Sequence, residues 1–282
     1  MQQLHQIYAC ALEQINTMLL RTLLLSVFLI LSSNVFSADI LKSAIIGSMA
    51  TEEIYTVVTL GDSITIGQTD SPQFGYRDHL QDLLGIRVYY FIGPFFSPGS
   101  VASGAQNYYT GSSGVSGNLS TQVIARLGTD VYPYITGKTN SWVLLLIGAN
   151  DISNCVASDP AQAICRAASI ANVATIISGI VSTNSSTKIL VSFQLPRNDT
   201  KTPYIVPYNT DLKTELDSEK ATNPNLFYVD MYQFMVDDAT CGPDFIPCLS
   251  DVVHPNDTGY SKMADAWYLC MDNPTAHYCN GN

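Results

Sequence analysis

The sequence predicts an α/β protein with a mostly parallel sheet covered by helices on both faces. Five short apolar runs alternate with helical patterns along the chain, and each run is bounded by Gly, Pro, Asn or Asp. Buried parallel strands are typically such near-continuous apolar runs. Hydrophobic residues make up 46% of the 282 residues and charged residues only 13%, which excludes a disordered chain.

The elements follow one another at regular intervals. The first strand, YTVVTL, is rich in β-branched residues and ends at Gly61, and the later strands are similar short apolar runs. The predicted strands are Tyr55–Leu60, Arg87–Ile92, Trp142–Ile147, Ile189–Phe193 and Leu226–Val229. The predicted helices are Tyr76–Leu84, Ser120–Leu127, Ala161–Val181, Asn209–Ala221 and Asp257–Leu269. Gly93–Gly117, which is rich in Gly, Ser, Tyr and Asn, is predicted to be a long loop.

Residues 1–37 are predicted to be a signal peptide, which leaves 38–282 as a single secreted domain. The apolar run at 22–31 follows Arg21 and precedes small residues suited to cleavage after Ser37. It is shorter than the about 20 apolar residues of a membrane span, so an uncleaved anchor is the weaker alternative and no stable membrane insertion is expected. Met18 is an alternative start, which would make residues 1–17 a misassigned extension.

The cysteine content is typical of a secreted protein. Removal of the signal peptide removes Cys10 and leaves an even number of cysteines, which favours disulfides. Their short separations predict the pairs Cys155–Cys165, Cys241–Cys248 and Cys270–Cys279. A zinc site is the competing interpretation, but no Cys-x-x-Cys motif occurs, so we expect no metal. Glycosylation sequons occur at Asn118, Asn184, Asn198 and Asn256.

The chain is acidic, and this limits its partners. It has 13 Lys and Arg against 24 Asp and Glu, a net charge of -11. Binding to nucleic acid or to an anionic membrane normally needs a basic surface. We therefore expect no nucleic-acid partner, and a neutral substrate is easier to accommodate.

Four segments at predicted strand ends or on nearby loops carry candidate functional residues, because ligands bind beyond the carboxyl ends of parallel strands. Ser63 follows the first strand and could act as a nucleophile beside a base. Asn150 follows the third strand and could donate to an oxyanion, as could the backbone N–H of Gly117. Asp251 lies three residues before His254, a spacing suited to orienting a general base. Each motif alone is equally consistent with an ordinary turn or cap.

The order of these residues along the chain resembles the SGNH, or GDSL, hydrolases. That family has a serine, a glycine, an asparagine and a histidine in this order, with an aspartate three residues before the histidine. The resemblance covers about Thr56 to Leu269 and implies a flavodoxin-like three-layer α/β/α sandwich with a central, mostly five-stranded parallel sheet. It implies a Ser63–His254–Asp251 triad and an oxyanion hole formed by Ser63 N–H, Gly117 N–H and Asn150, with no cofactor.

Several strings extend the resemblance to acetyl-xylan esterases of the third carbohydrate esterase family. They include LLLIGANDI at 144–152 and DVVHPNDTGYSKMADAWY at 251–268. The chain departs from that family at 110–118, where a His-Glu-Gly-x-Ser-Gly-Trp string is replaced by TGSSGVSGN. That block lines the substrate approach, so the departure bears on the polysaccharide and not on acyl transfer. Asp62 is expected to fix the turn around Ser63.

The resulting expectation is a secreted serine esterase that hydrolyses short-chain, acetyl esters, with an acetylated polysaccharide such as xylan as its substrate. Tyr108 and Tyr109 are candidate sugar-stacking residues, because exposed aromatic side chains often bind ligands. The same residues would serve a lysophospholipase or a broad lipid esterase. A non-catalytic binding protein on the same scaffold is the third hypothesis.

Overall fold

The computed structural model describes residues 54–70, 73–85, 89–98, 109–155 and 162–280, with backbone alone at 96–98, 109 and 110. The predicted signal peptide and Tyr108 lie outside these ranges, and the side chain of Tyr109 is not described. Residues 53–282 form one compact unit.

In chain order the strands are β1 Tyr55–Gly61, β2 Tyr89–Ile92, β3 Phe95–Pro98, β4 Tyr109–Gly114, β5 Ser141–Leu146, β6 Lys188–Ser192 and β7 Leu226–Val229. The sheet contains the five predicted strands in parallel order β2-β1-β5-β6-β7, which is the flavodoxin-like 2-1-3-4-5 order of a doubly wound sheet. Every residue of β5 is buried, as expected for a strand covered on both faces.

The predicted long loop Gly93–Gly117 is wrong in part, because it contains β3 and β4, an antiparallel pair that brings the sheet to seven strands. Strand β1 is shared along one edge: Tyr55–Val58 pair with β2, whereas Leu60 and Gly61 pair with Ser113 and Gly114 of β4. The backbone at Gly111 in β4 approaches that of Gly93 closely, and only glycine fits there, because a Cβ at position 111 would lie 2.5 Å from the Gly93 backbone nitrogen.

Helices cover both faces of the sheet and enclose two apolar cores. The helices are α1 Ser63–Ile66, α2 Tyr76–Leu84, α3 Ser120–Asp130, α4 Tyr132–Ile135, α5 Ala149–Asn154, α6 Ala163–Thr183, α7 Ile205–Lys220, α8 Met231–Asp237 and α9 Asp257–Asp272. One core packs α2, α8 and α9 against one face, and the other packs α3, α6 and α7 against the opposite face. Short 3₁₀ turns occur at Thr202–Tyr204 and Ile246–Cys248.

Helix boundaries differ from the predicted ones where local rules allow extension. Helix α7 begins at Ile205, four residues before the predicted start, because Pro207 lies in its first turn, where its missing N–H is not needed. Helix α9 begins at Asp257 as predicted, after Asn256, whose side-chain oxygen accepts from the Gly259 N–H at 3.0 Å, and it extends to Asp272 beyond the predicted end at Leu269.

Helix α6 is long and apolar enough to span a membrane by length and composition, but its residues Ile170, Val173, Ile176 and Ile180 are buried in the core. The three predicted disulfides are formed: Cys155–Cys165, Cys241–Cys248 and Cys270–Cys279. The last of these links α9 to the C-terminal segment. In that segment the backbone of Cys279 forms an isolated antiparallel β-bridge with Val229, at the end of β7.

Candidate active site

Ser63 lies at the carboxyl end of β1, as the first residue of α1. The strand ends in Gly61 because a Cβ there would lie 2.2 Å from the Leu146 carbonyl oxygen. Asp62 caps α1, with Oδ1 accepting from the Ile64 N–H at 3.0 Å, which confirms its predicted role in the turn. Ser63 is 6% exposed, so its hydroxyl is held in a largely enclosed position.

Ser63, His254 and Asp251 form a continuous hydrogen-bonded series. Ser63 Oγ lies 2.9 Å from His254 Nε2, and His254 Nδ1 lies 2.7 Å from Asp251 Oδ2. With the ring proton on Nδ1, the imidazole donates to Asp251 and Nε2 accepts the serine hydroxyl. The three residues predicted from sequence are therefore within hydrogen-bonding reach of one another, in the geometry that activates a serine.

Asp251 is held by its own loop. Its Oδ1 accepts the backbone N–H groups of Val253 at 2.8 Å and His254 at 2.7 Å. Partial burial acts to raise the pKa of Asp251, but these N–H donors and the His254 ring together hold the pKa below its ordinary value. The carboxylate is thus ionised at neutral pH and is aimed at Nδ1.

Asn150 lies in the first turn of α5, at the end of β5, in contact with Asp62, the residue before Ser63. Its Nδ2 donates to the Asn118 carbonyl oxygen at 3.1 Å and lies 3.4 Å from Asp62 Oδ2. The chain reaches this position through Gly148, whose φ is 131° and whose Cβ would lie 2.3 Å from Tyr208 Oη. A residue with a side chain cannot occupy that position without displacing buried Tyr208.

Gly117 lies on an exposed turn between β4 and α3. The Asn118 N–H donates to the Val115 carbonyl at 3.2 Å, and Gly117 has a φ of 75°, as required at the third position of a type II turn. Neither the Gly117 nor the Ser63 backbone N–H donates to an acceptor among the described residues. Both N–H groups can therefore donate to a substrate oxygen that lies within reach.

The Asp62 carboxyl is fully buried, next to Ser63 in sequence and in contact with Asn150. Burial raises its pKa to about 7, and the charge of Asp151 adds to the rise, while the Ile64 N–H and Arg126 oppose it. Asp62 therefore exchanges its proton near neutral pH while in contact with Asn150.

Two further sets of contacts were not predicted from sequence. Asp151 accepts the Ser120 N–H at 3.0 Å and the Ser120 hydroxyl at 2.6 Å, which fixes the start of α3 against α5. Arg126 donates to Asn118 Oδ1 and to the Gly61 carbonyl. No sequence signal distinguished Arg126, because a lone arginine on an amphipathic helix usually faces solvent.

A small recess lies among residues that are next in sequence to the reacting groups. It is lined by Ile64, Ala149 and Val253, each the sequence neighbour of Ser63, Asn150 or His254, together with Leu195 and Arg197, but not by the reacting residues themselves. Its volume is about 10 Å³, roughly the space of one water-sized sphere.

No cluster of three or more His, Cys, Asp or Glu side chains suited to a metal ion occurs in the described part of the chain. Whether Tyr108 and Tyr109 contact a sugar stays a prediction, since neither side chain is among those described.

Comparisons with known proteins agree with this fold. The family profile described as GDSL-like lipase/acylhydrolase matches residues 57–267. A family 3 carbohydrate esterase from Clostridium thermocellum superposes with a TM-score of 0.57 at 20% identity, covering 77% of this chain and 95% of its own. One from Talaromyces cellulolyticus gives 0.57 at 17% identity, with coverages of 78% and 97%.

An acetylxylan esterase from Geobacillus stearothermophilus gives a TM-score of 0.55 at 18% identity, with coverages of 78% and 94%. At these identities the structural matches establish the shared α/β fold. No curated protein matches the sequence.

Proposed function

Because the chain belongs to the GDSL-like lipase/acylhydrolase family, we propose that it is a secreted serine esterase that hydrolyses acetyl and other short-chain esters, with an acetylated carbohydrate such as xylan as the substrate. The observation that carries this proposal is the hydrogen-bonded series Ser63 Oγ–His254 Nε2–Asp251, with distances of 2.9 and 2.7 Å. Asn150, held beside Asp62 and Asn118, adds a donor at the same end of the sheet.

In the first step, Ser63 Oγ attacks the ester carbonyl carbon while His254 Nε2 takes the hydroxyl proton. Asp251 holds the Nδ1–H tautomer and stabilises the imidazolium that forms. The protonated His254 then gives the proton to the leaving alcohol, which leaves an acyl group on Ser63. In the second step, water attacks the acyl-enzyme, His254 again takes and returns the proton, and the free acid departs.

The negative charge that develops on the carbonyl oxygen needs donors in place before the reaction. We assign them to the Ser63 N–H, the Gly117 N–H and Asn150 Nδ2. One Asn150 hydrogen is directed to the Asn118 carbonyl, and the second faces Asp62 Oδ2 across a long 3.4 Å contact. That second hydrogen is the one available to the oxyanion, because the contact it leaves is weak.

The acetyl and carbohydrate parts of the proposal are supported by the motif resemblance and by the names of three proteins with the same fold.

A lysophospholipase or broad lipid esterase is the second candidate from the sequence, and a binding protein on this scaffold is the third. No structural observation favours the lipid substrate over the acetyl ester. The intact Ser63–His254–Asp251 series argues against the binding protein, because binding alone does not require a serine aligned with an oriented histidine.

Secretion is supported by the predicted signal peptide and by three disulfides, which persist in oxidising compartments. In a host that glycosylates, we propose Asn198 as the acceptor. Its side chain is exposed, whereas Asn184 and Asn256 each direct Nδ2, the atom that would carry the glycan, to two backbone carbonyls. Asn118 is only 8% exposed. Mapping of glycopeptides tests this assignment.

The function is tested by hydrolysis of p-nitrophenyl esters from acetate to long-chain acyl groups, with Ser63→Ala as the blank. We expect activity that falls steeply beyond acetate and is lost in the variant, followed by acetate release from acetylated xylan. A maximum at long chains would transfer the assignment to a lipid esterase. Folded protein without activity on any ester, xylan included, would contradict the proposal.

A further inference from the structure

The guanidinium group of Arg126, in α3, is committed to three separate acceptors. Its Nε donates to Asn118 Oδ1 at 2.9 Å, one terminal nitrogen donates to the Gly61 carbonyl at 2.8 Å, and the other pairs with Asp130 at 2.6 Å. The side chain is only 15% exposed. A largely buried arginine with fixed partners in three directions restrains those partners relative to one another.

Two of these acceptors adjoin the groups that we assign to catalysis. Gly61 is the last residue of β1, two positions before Ser63. Asn118 follows Gly117 directly, and the carbonyl of Asn118 accepts the Asn150 amide at 3.1 Å. A single guanidinium therefore connects the strand that carries the serine to the turn that carries one oxyanion donor and contacts another.

We infer that Arg126 is a positioning residue for ester hydrolysis, which holds Asn118 so that Gly117 and Asn150 present their N–H groups at fixed places relative to Ser63. This inference rests on the function proposed above. Arg126 itself makes its described contacts to Asn118, Gly61 and Asp130, so it acts through these neighbours and is not a catalytic residue.

Few other contacts hold this turn in the described part of the chain. Gly117 is exposed and has no side chain to pack, the turn is closed by the Asn118–Val115 backbone bond, and its Ser116 hydroxyl donates to Gln68 Oε1 at 2.6 Å. The Val115 N–H donates to the Gly61 carbonyl at 3.2 Å, so Arg126 and the turn share one acceptor on β1. Without Arg126, the side chain of Asn118 loses its described partner. Among the described contacts, the peptide unit whose carbonyl orients Asn150 is then held only through the Leu119 N–H, which donates to Gln122 Oε1 at 2.8 Å.

The test compares Arg126→Met, Asn118→Ala and the double variant with the wild-type chain, using p-nitrophenyl acetate. We expect each single change to lower kcat about 10- to 100-fold with KM within about twofold, since a displacement of about 1 Å costs this much. If Arg126 acts through Asn118, the double variant loses no more than the worse single variant. Arg166→Met is the matched control, because it breaks an ion pair with Asp211 between α6 and α7 and should leave kcat unchanged.

A second readout separates positioning from loss of fold. Methylboronic acid forms a tetrahedral adduct with a reactive serine and places an oxygen in the oxyanion hole. Its inhibition constant should rise by about the same factor as kcat/KM falls, because both depend on the donors that stabilise the tetrahedral state. Thermal unfolding of each variant identifies any that do not fold. Asn118→Ala keeps the Arg126–Asp130 pair, so it decides the matter if Arg126→Met is unfolded.

Unchanged kcat in folded Asn118→Ala, multiplicative losses in the double variant, or unchanged boronate inhibition with reduced kcat would each overturn the positioning role. These results are distinct from failure of the proposed function, which would appear first as wild-type activity no greater than that of Ser63→Ala. An active, Ser63-dependent wild-type enzyme with unaffected variants would refute the role of Arg126 alone.

Discussion

The side-chain amide of Asn150 donates to the backbone carbonyl of Asn118 at 3.1 Å, and this bond joins the residues that follow β5 to those that follow β4. The two residues are 32 positions apart in sequence, yet this contact fixes the direction of the amide. One amide hydrogen of Asn150 therefore bonds to the protein, and the other is available to the proposed oxyanion. Loss of the Asn150 side chain should thus affect turnover more than folding.

Asn150→Ala is expected to lower kcat/KM by about 10²- to 10³-fold, which corresponds to about 2.7 to 4 kcal/mol of transition-state stabilisation. The variant should remain folded, because the amide is only partly buried and α5 keeps its backbone bonds. Ester hydrolysis and circular dichroism check both statements. Nearly full turnover would show that Asn150 is not an oxyanion donor.

Asp251→Asn should lower kcat about 10²- to 10⁴-fold with little change in stability. The amide can still accept the two backbone N–H groups at Oδ1, but its NH₂ group would face His254 Nδ1 and favour the wrong tautomer. Steady-state kinetics at neutral pH measure the loss. A variant with wild-type kcat would remove Asp251 from the mechanism.

The contribution of Asp62 to stability should fall as the pH rises from about 4 to about 7, between the pKa values of this carboxyl in the unfolded and folded states. Burial raises the pKa of Asp62 from 3.8 to about 7, so between these values the folded state binds more protons than the unfolded state. The contribution is therefore fully present below about pH 4 and is lost as pH increases to about 7, by at most about 4 kcal/mol.

Asp62→Asn isolates this effect. The amide oxygen can still cap Ile64, while the NH₂ group facing Asn150 adds a penalty that does not depend on pH. We would measure the free energy of unfolding of both proteins with denaturant at pH 5 and pH 8. Between these two pH values, the free energy of unfolding of the variant should rise relative to that of the wild type. An equal difference at both values would contradict the raised pKa.

Gly148→Ala should destabilise the protein by about 2 to 5 kcal/mol. The φ of 131° is strained for alanine, and the new Cβ would lie 2.3 Å from the hydroxyl oxygen of fully buried Tyr208. Gly128→Ala is the matched control at an exposed position of helix α3, where nothing lies near the added Cβ, and it should stabilise by up to about 1 kcal/mol. Denaturant unfolding that fails to separate the two variants would refute this account.

The five parallel strands could be predicted because each is a short apolar run buried on both faces, as β5 shows. The hairpin β3–β4 could not, because YTGSSG in β4 has the composition of a loop and is a strand only through pairing with β1 and β3. Short helices such as α5 were missed because six residues give too little periodicity.

Within the site, the positions of Ser63, Asn150, Asp251 and His254 follow from strand ends and motif order. The contacts of Arg126 and the burial of Asp62 do not, because they depend on which elements pack above the sheet. Sequence spacing predicts which residues share a loop. It does not predict which side chain from a distant helix reaches that loop.

The split pairing of β1 has a consequence for the changes that β4 can tolerate. One half of this strand is matched to β2 and the other to the hairpin, so Ser63 and the turn bearing Gly117 leave the sheet at the same level. A one-residue slip in β4 would shift the turn by about 3.3 Å relative to Ser63. Insertions or deletions within β4 should therefore impair hydrolysis more than substitutions that keep the pairing of Leu60 and Gly61 with Ser113 and Gly114.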